Sequence, residues 1–258
     1  MARIFVTGSA DGLGQLAARR LVALGHDVVL HGRNRDRAQQ AMRAVPGART
    51  ALEGDLASIE QTRALARKAN EAGPFQAVIH NAGFYHQGAG RHDTVDGLDD
   101  IFAINALAPY LLTALIEGSQ RLIYLTSGLH QGGDPDLRDL QRRWSGSQAY
   151  ANSKLFDVVL AFAVARLWPH VLSNAVDPGW VPTKMGGPSA SDDLEQGAAT
   201  QVWLAVSDER GAKVSGQYFY HKRTRAAHPA ASDVTLQNGF LAACEQLTGV
   251  RLASAIAK

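Results

Sequence analysis

The segment Tyr150-Ala151-Asn152-Ser153-Lys154 places a phenol and a primary amine at positions i and i+4. On a helix such residues share one face about 5 to 6 Å apart, so both can point at one ligand. A free phenol ionises near pH ~10, and a neighbouring cation lowers that value by favouring the phenolate. Tyr150 is therefore a candidate to donate or accept a proton, with Lys154 as the cation that tunes it. A second feature lies near the start of the chain, in the turn Thr7-Gly8-Ser9-Ala10-Asp11-Gly12-Leu13-Gly14. Glycines allow a tight turn and let backbone amides close on a phosphate at the N-terminus of the following helix. A glycine-rich turn means little in isolation, but this one stands between an opening strand and a helix, where a dinucleotide cradle belongs.

The elements that must position these groups are legible as hydrophobic periodicity. Short apolar runs at residues 3–7, 27–31, 49–53, 76–80, 121–126, 171–176 and 216–220 read as seven strands. Segments with helical spacing lie between them at 12–24, 36–45, 59–72, 95–118, 148–168 and 194–206. Alternating continuous apolar strands and helices predict an α/β fold, a Rossmann-type doubly wound parallel sheet of about seven strands flanked by helices on both faces. Residues 1–258 are expected to form one such domain, with variable substrate loops near 128–146 and 182–193. A last amphipathic helix at 236–247 is free to pack on the body or over the cleft.

Composition narrows the functional classes. With 46% hydrophobic and 19% charged residues the chain can fill a sizeable core. A formal charge of +2, with no long basic stripe, argues against a nucleic-acid partner. The single cysteine, Cys244, excludes an intrachain disulfide. No charged leader precedes the first strand and no apolar run reaches bilayer length, so the expectation is a cytoplasmic protein with no membrane partner.

The spacing T-G-x-x-x-G-x-G departs from the usual G-x-G-x-x-G fingerprint and resembles the short-chain dehydrogenase/reductase family. Further matches follow in that family's order. They are Asp55-Leu56 after the third strand, Asn81-Ala82-Gly83 after the fourth, Asn105 in the next helix and Ser127 ending the fifth. Tyr150 and Lys154 then supply Y-x-x-x-K, and Pro178-Gly179-Trp180-Val181-Pro182-Thr183 resembles P-G-x-V-x-T. The resemblance spans residues 2 to about 220. It implies an oxidoreductase that interconverts a carbonyl and an alcohol, with Asn105, Ser127, Tyr150 and Lys154 as the catalytic set. Reducing a carbonyl leaves an alkoxide, so an acid must sit at the oxygen in an environment that favours the developing charge. The resemblance gives Lys154 a grip on the nicotinamide ribose, Ser127 a hydrogen bond to the substrate oxygen, and Asn105 a water linking Lys154 to solvent. Gly8, Ser9, Asp11, Gly12, Leu13, Gly14, Asp55, Leu56, Asn81, Ala82, Gly83, Tyr150, Lys154, Pro178, Gly179, Val181 and Thr183 are its cofactor-binding positions. Asp55 also has a plainer reading, as part of the N-cap of the helix that starts at Ile59.

Which nicotinamide is used turns on the end of the second strand, His31-Gly32-Arg33-Asn34. An acid there would take the ribose hydroxyls of NAD, whereas an arginine suits a 2′-phosphate. Arg33 therefore predicts NADP(H), and Arg35 and Arg37 read as a solvated helix start. Phe84, Tyr85, His86, Leu129, His130, Trp180 and Met185 are candidates to line the substrate pocket, an apolar and aromatic set that suits a bulky or ring-bearing small molecule. The long step from Ser127 to Tyr150, with His130 and Asp139-Leu140, resembles the retinol dehydrogenase and protochlorophyllide reductase branch. His86, His92 and His130 lack ligand spacing, so no metal is expected. Two other readings share these motifs: an NAD-dependent alcohol dehydrogenase, and an idle NADP(H)-sensing regulator. The apolar helices at 95–118 and 148–168 fit either contacts in a homo-oligomer or burial within one chain.

Overall fold

The computed structural model describes residues 1–86, 92–138, 140 and 146–253. The expected Asp139 contribution lies outside the described residues. Eight strands form one sheet in the order β3-β2-β1-β4-β5-β6-β7-β8. They are β1 (Arg3–Val6), β2 (Asp27–Gly32), β3 (Thr50–Glu53), β4 (Ala77–His80), β5 (Arg121–Leu125), β6 (Leu172–Asp177), β7 (Gln217–Tyr220) and β8 (Arg223–Arg225). The first seven are parallel, in register through pairs such as Val6 with Leu30 and Ile79, and β8 runs antiparallel to β7.

Side chains alternate across the strands and so build two cores. Phe5, Val29, Val78, Leu122 and Ala175 face one layer, made of α3 (Ile59–Ala72), α5 (Ala108–Leu115), α6 (Gly146–Leu167) and α8 (Val234–Thr248). Ile4, Val6, Val28, Leu30, Ile79 and Val176 face the other, made of α1 (Gly12–Ala23), α2 (Arg35–Ala44) and α7 (Leu194–Val206). Helix α6 is apolar on several faces because the sheet, α8 and short helical turns enclose it. Helix α8 packs on this body through Phe240, whose ring stacks on Phe156 at 4.9 Å. No described helix is long and apolar enough to cross a membrane.

Two elements differ from the periodicity. Strand β8 joins β7 through His221 and Lys222, both at positive φ (48° and 61°), the backbone of a two-residue hairpin turn. Neither is the Gly or Asn such a turn ordinarily displays, and Arg223 and Arg225 leave β8 exposed, a common way to blunt a sheet edge. The helix expected over 95–118 begins instead at α4 (Asp100–Phe102), where the Asp99 side chain accepts from Phe102 N at 3.1 Å. A π-turn, Ala103–Leu107, separates α4 from α5, and Ala108 N donates to Ala103 O. Pro109 has no amide to give to the carbonyl of Asn105, so the wider turn forgoes no hydrogen bond there.

His80, at the end of β4, is 3% exposed, stacks on Tyr124 at 4.7 Å and meets Thr113 Oγ1 at 3.3 Å. Burial pushes its imidazole down to about 3. The folded value lies below the unfolded one near ~6.5. Its contribution to stability is therefore present above pH ~6.5 and lost as pH falls, because the unfolded chain takes up a proton that the fold refuses. Urea unfolding between pH 6.5 and 4 should show a loss of about 1.4 kcal/mol per pH unit from this group. His80→Asn should flatten that dependence; equal slopes in both proteins would contradict it.

Candidate active site

The carboxyl ends of β1, β2, β4, β5 and β6 open onto a cleft of about 660 Å³. Its nucleotide end is built on backbone contacts too close for side chains. Gly8 has φ +61°, and a Cβ there would sit 2.8 Å from Ala82 Cα. A Cβ on Gly14 would lie 2.3 Å from Asn81 Nδ2 and 2.4 Å from Gly8 O. The same Asn81 Nδ2 donates to Thr7 O (2.9 Å) and Gly8 O (3.1 Å), and Ala82 N donates to Thr7 Oγ1 (3.0 Å). The turn after β1 is thus clamped to the end of β4.

A residue the motifs did not single out clamps it to β2 as well. His31 is 2% exposed; its Nδ1 accepts from Gly8 N at 3.0 Å and its Nε2 lies 2.8 Å from Gly54 O. Burial lowers its pKa, so the ring is neutral, with the proton on Nε2 facing the carbonyl. Ser9, expected to meet cofactor, is fully buried and its Oγ accepts from His31 N at 2.8 Å. Gly8, Asp11, Gly12, Leu13, Gly14, Asp55, Leu56, Asn81, Ala82 and Gly83 all line the cleft. Asp55 Oδ1 accepts from Ala57 N (3.0 Å), while the N-cap of α3 is Ser58, whose Oγ accepts from Gln61 N (3.4 Å). Asp55 thus lines the cleft and also closes the turn that leads into α3.

Arg33 is exposed and lines the cleft beside Gly32, as the sequence indicates. Arg37 departs from its reading as a solvated residue. It also lines the cleft, with Nη2 2.7 Å from Asp11 Oδ2 and Nη1 2.6 Å from Gln40 Oε1. The tight approach of α2 to Gly32 turns this arginine inward: a Cβ on Gly32 would lie 2.4 Å from Ala38 N. Arg35 points instead towards β3. Lys184, which no motif named, reaches Asp11 Oδ2 at 3.0 Å from the far wall. Burial favours protonation of Asp11, but Arg37 and Lys184 hold it below the ordinary carboxylate range. A helix N-terminus and close backbone suit the phosphates of a dinucleotide, and Arg33, Arg37 and Lys184 line the same end.

At the other end, α6 brings Tyr150 and Lys154 to the cleft, with Lys154 Nζ 5.8 Å from the Tyr150 ring centre. Lys154 is 3% exposed; its Nζ donates to Leu125 O (2.7 Å) and to Asp157 Oδ2 (2.8 Å). Burial raises the Tyr150 phenol above its ordinary value, and Asp157 and Asp177 add to this, against the downward pull of Lys154 and Ser127. Lys154 pulls the value down as expected, and burial pulls it up. Ser127 also accepts from Leu129 N at 3.2 Å. Asn152 Oδ1, accepting from Asp134 N at 2.6 Å, ties the segment after Ser127 to α6. Asn105, fully buried in the π-turn, accepts from Phe84 N (2.7 Å) and donates to Phe84 O (2.9 Å) and Ser153 Oγ (3.0 Å).

Of the expected pocket residues, Phe84 and Met185 line the cleft, and Tyr85 packs its ring 5.1 Å from that of Tyr150. Met185 Sδ lies 3.8 Å from the Tyr150 hydroxyl. Leu129 and Trp180 are exposed at 57% and 53%, with the indole NH of Trp180 donating to Gly186 O. His130 is a correction: it is fully buried, its Nδ1 meets Ser127 O at 2.7 Å, its Nε2 accepts from His228 N, and its ring lies 4.6 Å from that of Tyr218. It braces the turn rather than the pocket. His86 Nε2 lies 3.5 Å from Asp100 Oδ1, and its ring is 4.4 Å from that of His92. Pro178 and Thr183 line the cleft, whereas Gly179 and Val181 shape the loop, Val181 being buried against Gly197.

Comparison with known proteins agrees with this geometry. The model of the family described as short chain dehydrogenase matches residues 2–119. An uncharacterized oxidoreductase of Emericella nidulans is 44% identical over 254 residues, covering 97% of this chain and 98% of its own. A polyprenol dehydrogenase of Homo sapiens is 30% identical over 95% of this chain and 84% of its own. A crystal structure of an uncharacterized protein of Mycobacterium paratuberculosis superposes with a TM-score of 0.83 at 25% identity, covering 98% and 95% of the two chains. With 44% identity to the Emericella nidulans oxidoreductase sustained along nearly the whole of both chains, this protein belongs to the short-chain dehydrogenase family of oxidoreductases.

Proposed function

We propose that the protein is an NADP(H)-dependent oxidoreductase that interconverts a carbonyl and an alcohol on a bulky hydrophobic or aromatic substrate, with Tyr150 as the proton donor and acceptor. The observation that carries this reading is the Tyr150 side chain lining the cleft with Lys154 Nζ 5.8 Å from its ring centre. A bound nicotinamide would supply or accept the hydride. Tyr150 gives its proton to the substrate oxygen in reduction and takes it back in oxidation. Because burial holds its phenol above the ordinary value, the residue carries that proton at neutral pH, which equips it to donate. Ser127 holds the same oxygen from the other side. Lys154 has two of its three N–H donors committed to Leu125 O and Asp157, and the third is available to the cofactor ribose. Asn105 fixes the backbone at Phe84, which keeps the wall beside Lys154 in place.

Preference for NADP(H) rests on Arg33 and Arg37 beside a β2 end that carries no acid. Guanidinium groups bind phosphate through charge-assisted hydrogen bonds, each about 1.5–3 kcal/mol. The substrate class rests on the apolar and aromatic approach formed by Phe84, Tyr85, Met185, Leu129 and Trp180, and on the relative described as a polyprenol dehydrogenase.

Calorimetric titration should give tight NADPH binding and weaker NADH binding. Arg33→Ala should weaken NADPH by roughly 10- to 100-fold and leave NADH unchanged; an unchanged NADPH affinity would remove Arg33 from the phosphate site. A panel of aromatic and polycyclic ketones, followed through cofactor absorbance, should yield turnover that Tyr150→Phe lowers by about 100-fold or more. Binding with no turnover on any carbonyl would instead favour a nucleotide-sensing protein.

A further inference from the structure

Asp11 places a negative charge in the glycine turn, at the end of the cleft that suits phosphate. It stands at the N-cap position of α1, yet its side chain makes no capping hydrogen bond. The carboxylate turns instead to cations from two other parts of the chain. Its Oδ2 lies 2.7 Å from Arg37 Nη2 on α2 and 3.0 Å from Lys184 Nζ in the loop after β6, and both cations line the cleft. Pairing with them keeps Asp11 charged at neutral pH. A phosphate brought to this end meets a like charge, which disfavours it unless a cation neutralises the carboxylate.

The two pairs are not equivalent. The Arg37 side chain is 28% exposed and its other nitrogen is held at 2.6 Å by Gln40 Oε1, so the guanidinium stays on the cleft wall in reach of a phosphate. The Lys184 side chain is 80% exposed, and an ion pair made by so exposed a lysine adds little to stability. What fixes its place is the loop that carries it. That loop is pressed against the start of α1, where a Cβ on Gly12 would lie 3.4 Å from Thr183 Cγ2. Lys184 therefore remains beside Asp11 when Arg37 takes another partner.

We propose that Asp11 is a specificity-determining residue that sets how strongly the protein distinguishes NADP(H) from NAD(H), with Lys184 as its counter-ion. The proposal rests on the NADP(H) reading given above. In the structure Asp11 is shared by Arg37 and Lys184. A 2′-phosphate competes with Asp11 for Arg37, and Lys184 keeps the carboxylate neutralised once Arg37 has turned to the phosphate. Asp11 thus subtracts from the attraction that Arg33 and Arg37 exert, and Lys184 restores part of it without touching the ligand. A dinucleotide that lacks the 2′-phosphate makes no such demand on Arg37, so its affinity depends less on either residue. Specificity is the difference between the two affinities, and these two residues move one of them more than the other.

The test is calorimetric titration of NADPH and of NADH into the wild-type protein, Asp11→Asn, Lys184→Ala and the double variant, reading the ratio of the two dissociation constants. Asp11→Asn should raise the preference for NADPH by about 5- to 10-fold, because it removes the charge that competes for Arg37. Lys184→Ala should lower that preference by about 3- to 5-fold when Asp11 is present. In the Asp11→Asn background it should leave the ratio where it is, since no carboxylate remains to be neutralised. An unchanged or reduced preference in Asp11→Asn overturns the proposal. So does a Lys184→Ala effect of equal size in both backgrounds, which would make Lys184 a direct phosphate ligand. Should Asp11→Asn fail to fold, Lys184→Ala alone still decides, because a preference that it does not lower contradicts the counter-ion role. A wild-type protein that binds NADH the tighter refutes the NADP(H) reading and the proposal with it. A wild-type preference for NADPH that neither variant moves refutes only the role of Asp11.

Discussion

An ammonium group leaves water at a cost of several kcal/mol unless partners replace the water, and in this protein Lys154 is 3% exposed. Its partners are the carbonyl that ends β5 and the carboxylate one turn along its own helix. That demand fixes the angle and depth of α6 over the sheet, and Thr126 Oγ1 donating to Lys154 O at 2.6 Å closes the same joint from the strand side. Tyr150, one turn earlier, inherits its place from this joint. Ser127 follows two residues past the same strand end.

The nucleotide end depends on a different kind of constraint, close backbone approach. Gly8, Gly14, Asn81 and His31 knit the ends of three parallel strands to the first turn of α1 with contacts that leave no room for a Cβ. Neutral His31 is well suited to this, since one ring nitrogen accepts from an amide while the other donates to a carbonyl. Arg37 and Lys184 approach Asp11 from opposite walls, so the charge at this end is set by residues about 150 positions apart in the chain.

Much of the fold was legible because hydrophobic periodicity is itself the physical cause of strand and helix burial. The helix over 59–72 and that over 194–206 match it residue for residue. The departures have local causes: a π-turn where Pro109 withholds an amide, and a last strand whose polar, exposed residues and glycine-free turn carry no periodic signal. In the site, motif spacing located Tyr150, Lys154, Ser127 and the glycine turn. It misjudged Arg37, which reads as solvated until α2 is seen to press on Gly32. It also placed His130 in the pocket, where only the position of Tyr218 and His228 shows that the ring is enclosed. The spacing of Lys154 and Asp157 was present in the sequence as an i, i+3 pair, but that pattern is ordinarily a surface ion pair of little consequence.

By itself, then, the sequence determined which elements form, in what order, and which strand ends and helix faces carry groups capable of chemistry, because those properties follow from periodicity and from residues close in the chain. Only the tertiary structure decided the electrostatic state of those groups. Whether Arg37 meets water or the cleft, and whether Lys154 and Asp157 pair in the core or in water, depend on how much water the packed layers exclude. That exclusion is a property of surfaces brought together from distant parts of the chain.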